Sequence, residues 1–288
     1  MKLLLILLLA IAIPACRSSQ PVDQAAERAT PSLADSNQSN SASTAALLTN
    51  LPPAQIDRAA FPVTVENCGR KLTFEQPPQR VISLWQPANE LLLAIGVQQQ
   101  MIGLAGNYTN LPASLIESAK SIPVLGTATR WPTREVMLTQ NPDLVVSEGL
   151  EGFAFDPAEG YATVAELEQA GAQVFSTGSS CTPQQVSERG ISAVYDDLRD
   201  LGQIFGVSAR ATALIERLQQ REAAIRQRVS GRDRTLTLFY NGGEGPLAVL
   251  TSGVWADAID KAGGESVLAR MCFKSGLRNS PARKRQSF

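Results

Sequence analysis

One stretch of the chain, from Ser208 to Val229, constrains the fold more than any other, because its pattern predicts a single long amphipathic helix. Apolar residues recur in it at helical spacing, and Arg and Glu occupy the opposite face. We predict that Gly206 ends the preceding helix, that Ser208 caps this one and that Gly231 ends it. At ~1.5 Å per residue, such a helix spans about 33 Å, the width of a small domain. The alternative is an ordinary surface helix within one domain.

Short apolar strands alternate with helices before this stretch, and the alternation restarts after it at Thr235–Tyr240. Such alternation favours a parallel sheet covered by helices on both faces. We therefore predict an α/β fold in which two Rossmann-like lobes with parallel sheets are joined by one long bridging helix. The second lobe is expected to be incomplete, with a strand, a possible strand at Leu247–Leu250 and a helix near Trp255–Ala262. In the first lobe the pattern predicts a hairpin at Pro62–Phe74, strands at Val81–Leu84, Met101–Leu104, Leu144–Val146 and Val174–Ser176, and helices at Asn89–Ile95, Leu111–Ala119, Thr133–Thr139, Val164–Ala170 and Ser187–Phe205.

Changes in composition predict where the segments begin and end. Residues 1–16 carry one Lys, an apolar run and a small residue before Cys16, as a secretory signal does, and the run is short for a membrane span. The ending Ile-Pro-Ala-Cys resembles a bacterial lipobox with Cys16 as the lipidated residue; a plain cleaved signal and an uncleaved anchor are the alternatives. The remaining predicted segments are a polar, disordered linker at 17–60, an N-terminal lobe at 61–206, the bridging helix at 207–230, a partial C-terminal lobe at 231–265 and an aberrant basic tail at 266–288.

The composition excludes several classes of function. The 288-residue chain has no histidine, which rules out His-ligated metal sites and both Ser-His-Asp and Cys-His catalysis. Its net charge of −1 gives no reason to expect a nucleic-acid partner. The sequence also lacks a Gly-x-Ser-x-Gly elbow, a phosphate-binding glycine loop and a metal-ligand cluster. We expect neither an enzyme nor a metal site or permanent cofactor, although Glu148, Glu151 and Asp156 share one loop and are weak candidates for acid–base chemistry.

Two cysteines lie in the predicted first lobe. In an exported, oxidised chain a disulfide between Cys68 and Cys181 is the default expectation. Two unpaired thiols are the alternative, and Cys272 in the basic tail is assigned no role.

The carboxyl ends of the predicted strands are the expected ligand site, because ligands of parallel α/β sheets bind there. Several loops at these ends carry aromatic or amide side chains, which concave ligand sites prefer. Taken singly, each residue fits packing or loop structure better than ligand contact. The candidates are Trp85, Gln86, Asn107, Tyr108, Glu148 and Phe153 in the first lobe, with Tyr240 and Trp255 in the second.

A set of short motifs then suggests a family. RVISLWQPANELLLAIG at 80–96, IPVLG at 122–126, Glu135, NPDLVV at 141–146, LTSG at 250–253 and AGGE at 262–265 occur in a specific order. In these motifs the chain resembles the periplasmic binding proteins that serve iron-chelate and vitamin B12 ABC importers. The segments around Cys68 and Cys181 resemble one branch of that family.

The resemblance implies two lobes bridged by one helix, which permits only modest closure around a ligand. It implies a monomeric lipoprotein at the periplasmic face of the cytoplasmic membrane or at the cell surface. That protein would bind a ferric-siderophore-type chelate and pass it to an ABC-importer permease dimer. Cobalamin or haem are alternative ligands, and a non-transporting envelope interaction module is an alternative function.

The resemblance also assigns roles to single residues. It implies that Glu135 meets an arginine of the permease, where a charged pair sets docking register. The alternative role for Glu135 is a favourable acidic residue in the first turn of a helix. Arg130 and Trp131 lie where relatives place ligand contacts, and they would suit an anionic chelate and a planar or apolar face.

The family pattern ends after Glu265. Relatives continue with further strand–helix units and a second docking glutamate, whereas residues 266–288 contain six basic residues and no acidic ones. We therefore expect a truncated or frameshifted C-terminus, with a natural basic tail as the alternative.

Overall fold

The computed structural model describes residues 46–179, 181, 189–240 and 252–267. Short 3-10 turns lie at Arg58–Ala60, Phe153–Phe155, Pro157–Glu159 and Thr177–Ser179. The strands and helices, in chain order, are β1 (Val63–Asn67), β2 (Arg70–Phe74), β3 (Val81–Leu84), α1 (Gln86–Ile95), β4 (Met101–Ala105), α2 (Ala113–Ala119), α3 (Arg134–Thr139), β5 (Leu144–Ser147), α4 (Val164–Gln169), β6 (Gln173–Ser176), α5 (Ser192–Ile204), α6 (Ser208–Val229), β7 (Thr235–Thr237), α7 (Gly253–Lys261) and β8 (Gly264–Ser266).

A four-stranded parallel sheet in the order β4-β3-β5-β6 forms the centre of the first lobe. Successive side chains along its strands point alternately into two apolar cores, one on each face of the sheet. Val81 and Val146 pack with the helices α1, α2, α5 and α6, whereas Ile82 and Val145 pack with α3 and α4 on the opposite face. Because both faces are covered, β3 and β5 are buried along their whole length. The predicted α/β class is confirmed.

The β1–β2 hairpin packs against the loop that follows β6. Its turn consists of Cys68 and Gly69, both with positive φ (54° and 72°), which a two-residue hairpin turn requires. The buried side chain of Asn67 donates to the carbonyl oxygen of Ser176 and accepts from its N–H, both at 2.9 Å. The predicted disulfide between Cys68 and Cys181 is present, with 5.5 Å between the two Cα atoms.

The segment before the hairpin differs from the expectation of a linker at 17–60. Its described part, from residue 46 onward, packs on the first lobe through Leu48, Leu51, Ala54 and Ile56. Arg210 and Arg217 of α6 donate hydrogen bonds to backbone carbonyls of this segment. The packed chain therefore begins before Phe61. Apolar residues scattered through this polar segment contact the first-lobe core, and composition alone does not reveal such a contact.

The long helix α6 has the predicted bounds, but its predicted cap is wrong. Gly206 adopts a φ of 68° directly after α5, and Val207, not Ser208, precedes the first helical residue without a side-chain cap. The N–H of Val207 still bonds to the α5 carbonyl of Gly202 at 2.8 Å, so the connection is too tight to include a capping side chain. The buried residues of α6, Ala211, Leu214 and Ile215, all lie in its first half.

Beyond α6 the chain forms a small parallel pair, β7 with β8, packed on α7. The alternation therefore restarts as predicted, although β7 ends at Thr237 and β8 was not predicted. The possible strand at Leu247–Leu250 lies outside the described residues. Within the part of the chain that the structure describes, no helix is both long enough and apolar enough to cross a membrane.

Candidate functional site

The strand order places a crevice at the carboxyl ends of β3 and β5. From β3 the chain moves outward to β4, and from β5 it moves to β6 on the other side, so the order reverses between β3 and β5. Ligands of open α/β sheets bind at such a reversal. Leu84 pairs with Ser147 at the ends of these two strands. The next residues along the chain, Trp85 and Glu148, therefore follow adjacent strands at this edge of the sheet.

Four aromatic side chains, which we call the Trp85 cluster, meet at this edge: Trp85, Tyr108, Trp131 and Phe153. Ring centroids lie 5.0 Å from Trp85 to Trp131, and 6.1 Å from Trp85 to both Tyr108 and Phe153. Trp131 is buried, whereas Tyr108 and Phe153 are 53% and 63% exposed. The cluster thus combines a packed base with aromatic surface that solvent reaches, which is the kind of lining that ligand pockets use.

The backbone around the cluster is constrained. Trp85 and Phe153 adopt φ angles of 114° and 44°, which are uncommon for residues with a side chain. The N–H of Trp85 donates to the carbonyl oxygen of Ala105 at 3.0 Å. Gly106, which follows Ala105, lies against the ring of Trp131 and the backbone nitrogen of Trp85. Strained backbone of this kind occurs often at functional sites, because surrounding contacts must hold it in place.

Gln86 is a predicted ligand contact, but both polar atoms of its side chain form hydrogen bonds within the protein. Its side chain is 4% exposed. Its Oε1 accepts from the N–H groups of Tyr108 and Thr109 at 3.0 and 2.9 Å, and its Nε2 donates to Glu90 and to the Thr109 hydroxyl, both at 2.8 Å. Gln86 therefore positions the loop that carries Tyr108.

Asn107 is held in a similar way. Its Oδ1 accepts from Nδ2 of the buried Asn89 at 2.8 Å, and the same Nδ2 lies 3.0 Å from the carbonyl oxygen of Ala105. Asn89 and Gly106 support the site but are not among the site residues predicted from the sequence. An amide among the apolar residues of α1 was the available signal for Asn89.

Two carboxylates, those of Glu90 and Glu148, lie close enough to Tyr108 to act on its hydroxyl. Solvent reaches Glu148, but surrounding protein desolvates it and raises the pKa of its carboxyl above the ordinary value. Burial also raises the pKa of the Tyr108 hydroxyl, and the charges of Glu90 and Glu148 raise it further. Arg130 is exposed beside Trp131, and among the described residues its guanidinium has no hydrogen-bond or ion-pair partner.

The candidates in the second lobe are exposed as well. Trp255 on α7 is 51% exposed and stacks on Phe239, with ring centroids 4.9 Å apart. Tyr240 is 52% exposed. The ring contacts of Trp85 among the described residues all come from the first lobe. A ligand contact by Trp255 or Tyr240 therefore stays a prediction.

The other predicted residues lie away from the cluster or outside the described part. Glu135 is exposed in the first turn of α3, and its docking role stays a prediction. Cys16 and the basic tail beyond residue 267 lie outside the described residues. Among the residues that the structure covers, no group of three or more Cys, Asp or Glu side chains could hold a metal ion.

Comparisons with known proteins agree with this architecture. The profile of the periplasmic binding protein family matches residues 81–278, a range that ends inside the segment set apart as a basic tail. A cobalamin-binding protein of Halobacterium salinarum is 27% identical over 224 residues, which cover 76% of this chain and 55% of the relative. The chain thus spans about half the length of that curated relative.

Two solved structures share the fold. A structure described as an ABC-type Fe3+-hydroxamate transport system from Saccharomonospora viridis has a TM-score of 0.59 and 29% identity, covering 73% of this chain and 71% of its own. A periplasmic binding protein from Veillonella parvula has a TM-score of 0.60 and 21% identity, covering 72% of this chain and 66% of its own.

Proposed function

Because the chain belongs to the periplasmic binding protein family, we propose that it is the extracytoplasmic solute-binding component of an ABC importer and binds a ferric chelate of siderophore type. Members of this family bind substrates and are not enzymes. The observation that carries the proposal is the Trp85 cluster, which presents exposed aromatic surface at the reversal point of the sheet. The 29% identical Fe3+-hydroxamate relative supports the choice of ligand class.

The geometry suits capture of a bulky chelate. Tyr108 and Phe153 offer ring surface to the organic arms of the ligand, and burying that surface contributes ~25 cal/mol per Å². Trp85 and Trp131 form the packed base beneath them. Because these rings pack on one another within the first lobe, little ordering cost is expected to oppose binding.

The remaining parts of the proposal follow the family. Lipidation at Cys16 would hold the protein at the membrane through the polar segment before residue 46. Glu135, exposed on α3, would meet an arginine of the permease dimer. A Glu135→Lys variant should lower the ligand-dependent ATPase activity of a reconstituted partner permease by about tenfold while ligand affinity is unchanged. An unchanged ATPase activity would remove Glu135 from the docking surface.

Tryptophan fluorescence tests the ligand directly, because two of the three tryptophans lie in the cluster. We expect saturable quenching by a ferric trihydroxamate, and weaker responses to a ferric catecholate and ferric citrate. Tyr108→Ala and Phe153→Ala should each weaken binding by about tenfold, as truncation of an aromatic anchor does. Ile116→Ala, an exposed apolar residue on α2, is the matched control. A folded protein that responds to none of these chelates, nor to cobalamin or haem, would refute the proposal.

Cobalamin is the second candidate ligand, favoured by the curated relative from Halobacterium salinarum. Its large corrin ring would also pack on aromatic surface. Tighter binding of cobalamin than of any ferric chelate in the same titration would make it the preferred assignment.

A further inference from the structure

We propose that two residues outside the aromatic cluster, Ser176 and Asn67, position the loop that leads from β5 to Phe153 in the ligand site. Ser176 ends β6 and holds this loop, and Asn67 of the β1–β2 hairpin holds Ser176. This inference rests on the proposed function and adds positioning residues to its site.

The ends of β5 and β6 hold the start of the loop. These parallel strands end at paired residues, Ser147 and Ser176, both of which are buried. The hydroxyl oxygen of Ser176 accepts the N–H of Gly149 at 2.9 Å, and the hydroxyl of Thr177 donates to the carbonyl oxygen of Ser147 at 3.3 Å. The two hydrogen bonds therefore fix the backbone on both sides of Glu148, the first residue after β5.

The loop itself has an irregular backbone. Residues 148–152 belong to no helix or strand, and Gly149, Gly152 and Phe153 adopt positive φ angles of 88°, 64° and 44°. Phe153 is 63% exposed, and its ring centroid lies 6.1 Å from that of Trp85. Because no regular backbone ladder fixes the path of this loop, the hydrogen bond at Gly149 contributes to where the Phe153 ring is placed.

The hairpin in turn holds the end of β6. This strand is at an edge of the four-stranded sheet, where backbone groups need partners from outside the sheet. The side chain of Asn67 is 7% exposed and bonds to both the N–H and the carbonyl oxygen of Ser176 at 2.9 Å. Arg70 of β2 donates to the carbonyl oxygen of Val174 at 2.5 Å. Hairpin side chains thus cover the edge of β6 and fix the residue whose hydroxyl binds Gly149.

A covalent bond joins the same two parts of the chain. Cys68 follows Asn67 in the hairpin turn and forms a disulfide with Cys181, which lies beyond Ser176. The hairpin turn is therefore attached to β6 and to the segment after it. This hairpin lies outside the four-stranded sheet, yet it supports one wall of the crevice.

Ser176→Ala tests the hold on the loop, because it removes the acceptor of the Gly149 N–H. Ser83→Ala is the matched control: Ser83 of β3 is equally buried, but its hydroxyl has no hydrogen-bond partner among the described residues. Affinities of the full-length proteins for ferrioxamine B, a ferric trihydroxamate, and for cyanocobalamin are measured by isothermal titration calorimetry. We expect Ser176→Ala to weaken the complex that the wild type forms by at least about threefold, because binding must then order the loop. Ser83→Ala should change it by less than about twofold.

Asn67→Ala tests the hairpin. It removes both hydrogen bonds to the Ser176 backbone and should weaken binding by a similar factor. Thr64→Ala removes the exposed hydrogen bond of 3.0 Å between Thr64 and Thr73 in the same hairpin, and it should leave the affinity unchanged. An Asn67→Ala protein that binds as tightly as the wild type would remove the hairpin from the support of the site.

Hydrogen exchange of the ligand-free proteins measures the loop without any ligand. Amides of residues 148–153 should exchange faster in Ser176→Ala than in the wild type and in Ser83→Ala. A serine that served stability alone would lower the free energy of unfolding but change neither this exchange nor the affinity of the folded protein, and that result would overturn the inference. If the wild type binds neither probe, the proposed function fails. Exchange then still tests the hold, since faster exchange supports it and unchanged exchange refutes it.

Discussion

At the scale of single residues, Gly106 determines how closely the two tryptophans of the site can pack. Its φ of 78° favours glycine. A Cβ at this position would lie 2.8 Å from the backbone nitrogen of Trp85 and would overlap the ring of Trp131. The backbone of Trp85 and the indole of Trp131 occupy the space that a side chain would need.

We predict that Gly106→Ala lowers the free energy of unfolding by about 2–4 kcal/mol, as strain and overpacking combine. Gly160→Ala is the matched control, because Gly160 also has a positive φ (82°) but a Cβ there would meet no atom within 4 Å. The control should cost about 1 kcal/mol. Urea unfolding of both variants measures the difference. Equal losses would show that steric overlap at Gly106 contributes nothing.

Asp197 on α5 is a second residue whose environment has a measurable consequence. Its side chain is 5% exposed and accepts the N–H of Gly178 at 2.6 Å, in the loop after β6. Burial raises its pKa to about 7, against the opposing effect of that hydrogen bond, and the neighbouring Asp200 and Asp196 raise it further. The folded state therefore holds a proton at a pH where the unfolded chain has lost it.

Because the pKa of Asp197 is higher in the folded state, its contribution to stability is greatest at low pH and is lost as pH rises towards 7. We predict that the difference in unfolding free energy between wild type and Asp197→Asn changes by about 1–3 kcal/mol between pH 5 and 8. Wild type gains relative stability towards pH 5. Asp233→Asn, an exposed carboxylate after α6, is the control. A pH-independent difference would contradict the prediction.

At the scale of elements, one polar network joins α5, α6 and α7. The Tyr195 hydroxyl donates to Glu222 at 2.8 Å, and Lys261 bonds to Asp257 at 2.7 Å and lies 3.2 Å from Glu222. Asp257 also accepts the N–H of Ile191 at 2.7 Å. The charged side chains are mostly shielded from solvent. Charges and hydrogen bonds therefore hold α7 against α5 of the first lobe and against α6.

We predict that Lys261→Met increases hydrogen exchange across α7, because Glu222 and Asp257 lose their shared cation. The expected loss of local stability is about 1–3 kcal/mol. Lys120→Met removes an exposed lysine that pairs with Glu117 at 2.6 Å, and it should cost less than about 0.5 kcal/mol. Unaltered exchange of α7 amides in Lys261→Met would mean that apolar packing alone holds this helix.

At the scale of the whole molecule, contacts between residues far apart in sequence hold the first lobe together. Arg210 on α6 donates to the carbonyl oxygens of Ala94 and Pro52 at 3.0 and 2.8 Å, and Arg217 donates to three carbonyls of residues 47–50. The disulfide between Cys68 and Cys181 joins residues 113 positions apart. These contacts tie the N-terminal segment and the hairpin to later parts of the chain.

We predict that replacing Cys68 and Cys181 together by Ser lowers the free energy of unfolding by about 2–5 kcal/mol, because the reduced unfolded chain is less restricted. Cys272→Ser is the control for a cysteine-to-serine change that leaves this disulfide intact. Denaturant unfolding measures both variants. A double variant as stable as wild type would show that the hydrogen bonds of Asn67 hold the hairpin without the disulfide.

Much of the fold could be predicted because it depends on local patterns. Helical periodicity located α6 from Ser208 to Val229, and short apolar runs located β3 to β6, since a buried face must repeat with the period of its element. The pairing of Cys68 with Cys181 followed from the small number of cysteines in an exported chain. The expectation of a ligand site at the strand ends followed from the topology of parallel sheets, and it stays a prediction.

What the sequence by itself determined was therefore the class of fold, most of the elements of the first lobe, and the edge of the sheet at which a ligand site is expected. The tertiary structure alone decided the strand order, the packing of residues 46–60 and the hydrogen bonds by which Gln86 and Asn107 are held. The physical reason is the range of the interactions involved. Periodicity and turn chemistry act between near neighbours in sequence, whereas hydrogen-bond partners and electrostatic fields depend on residues that only folding brings together.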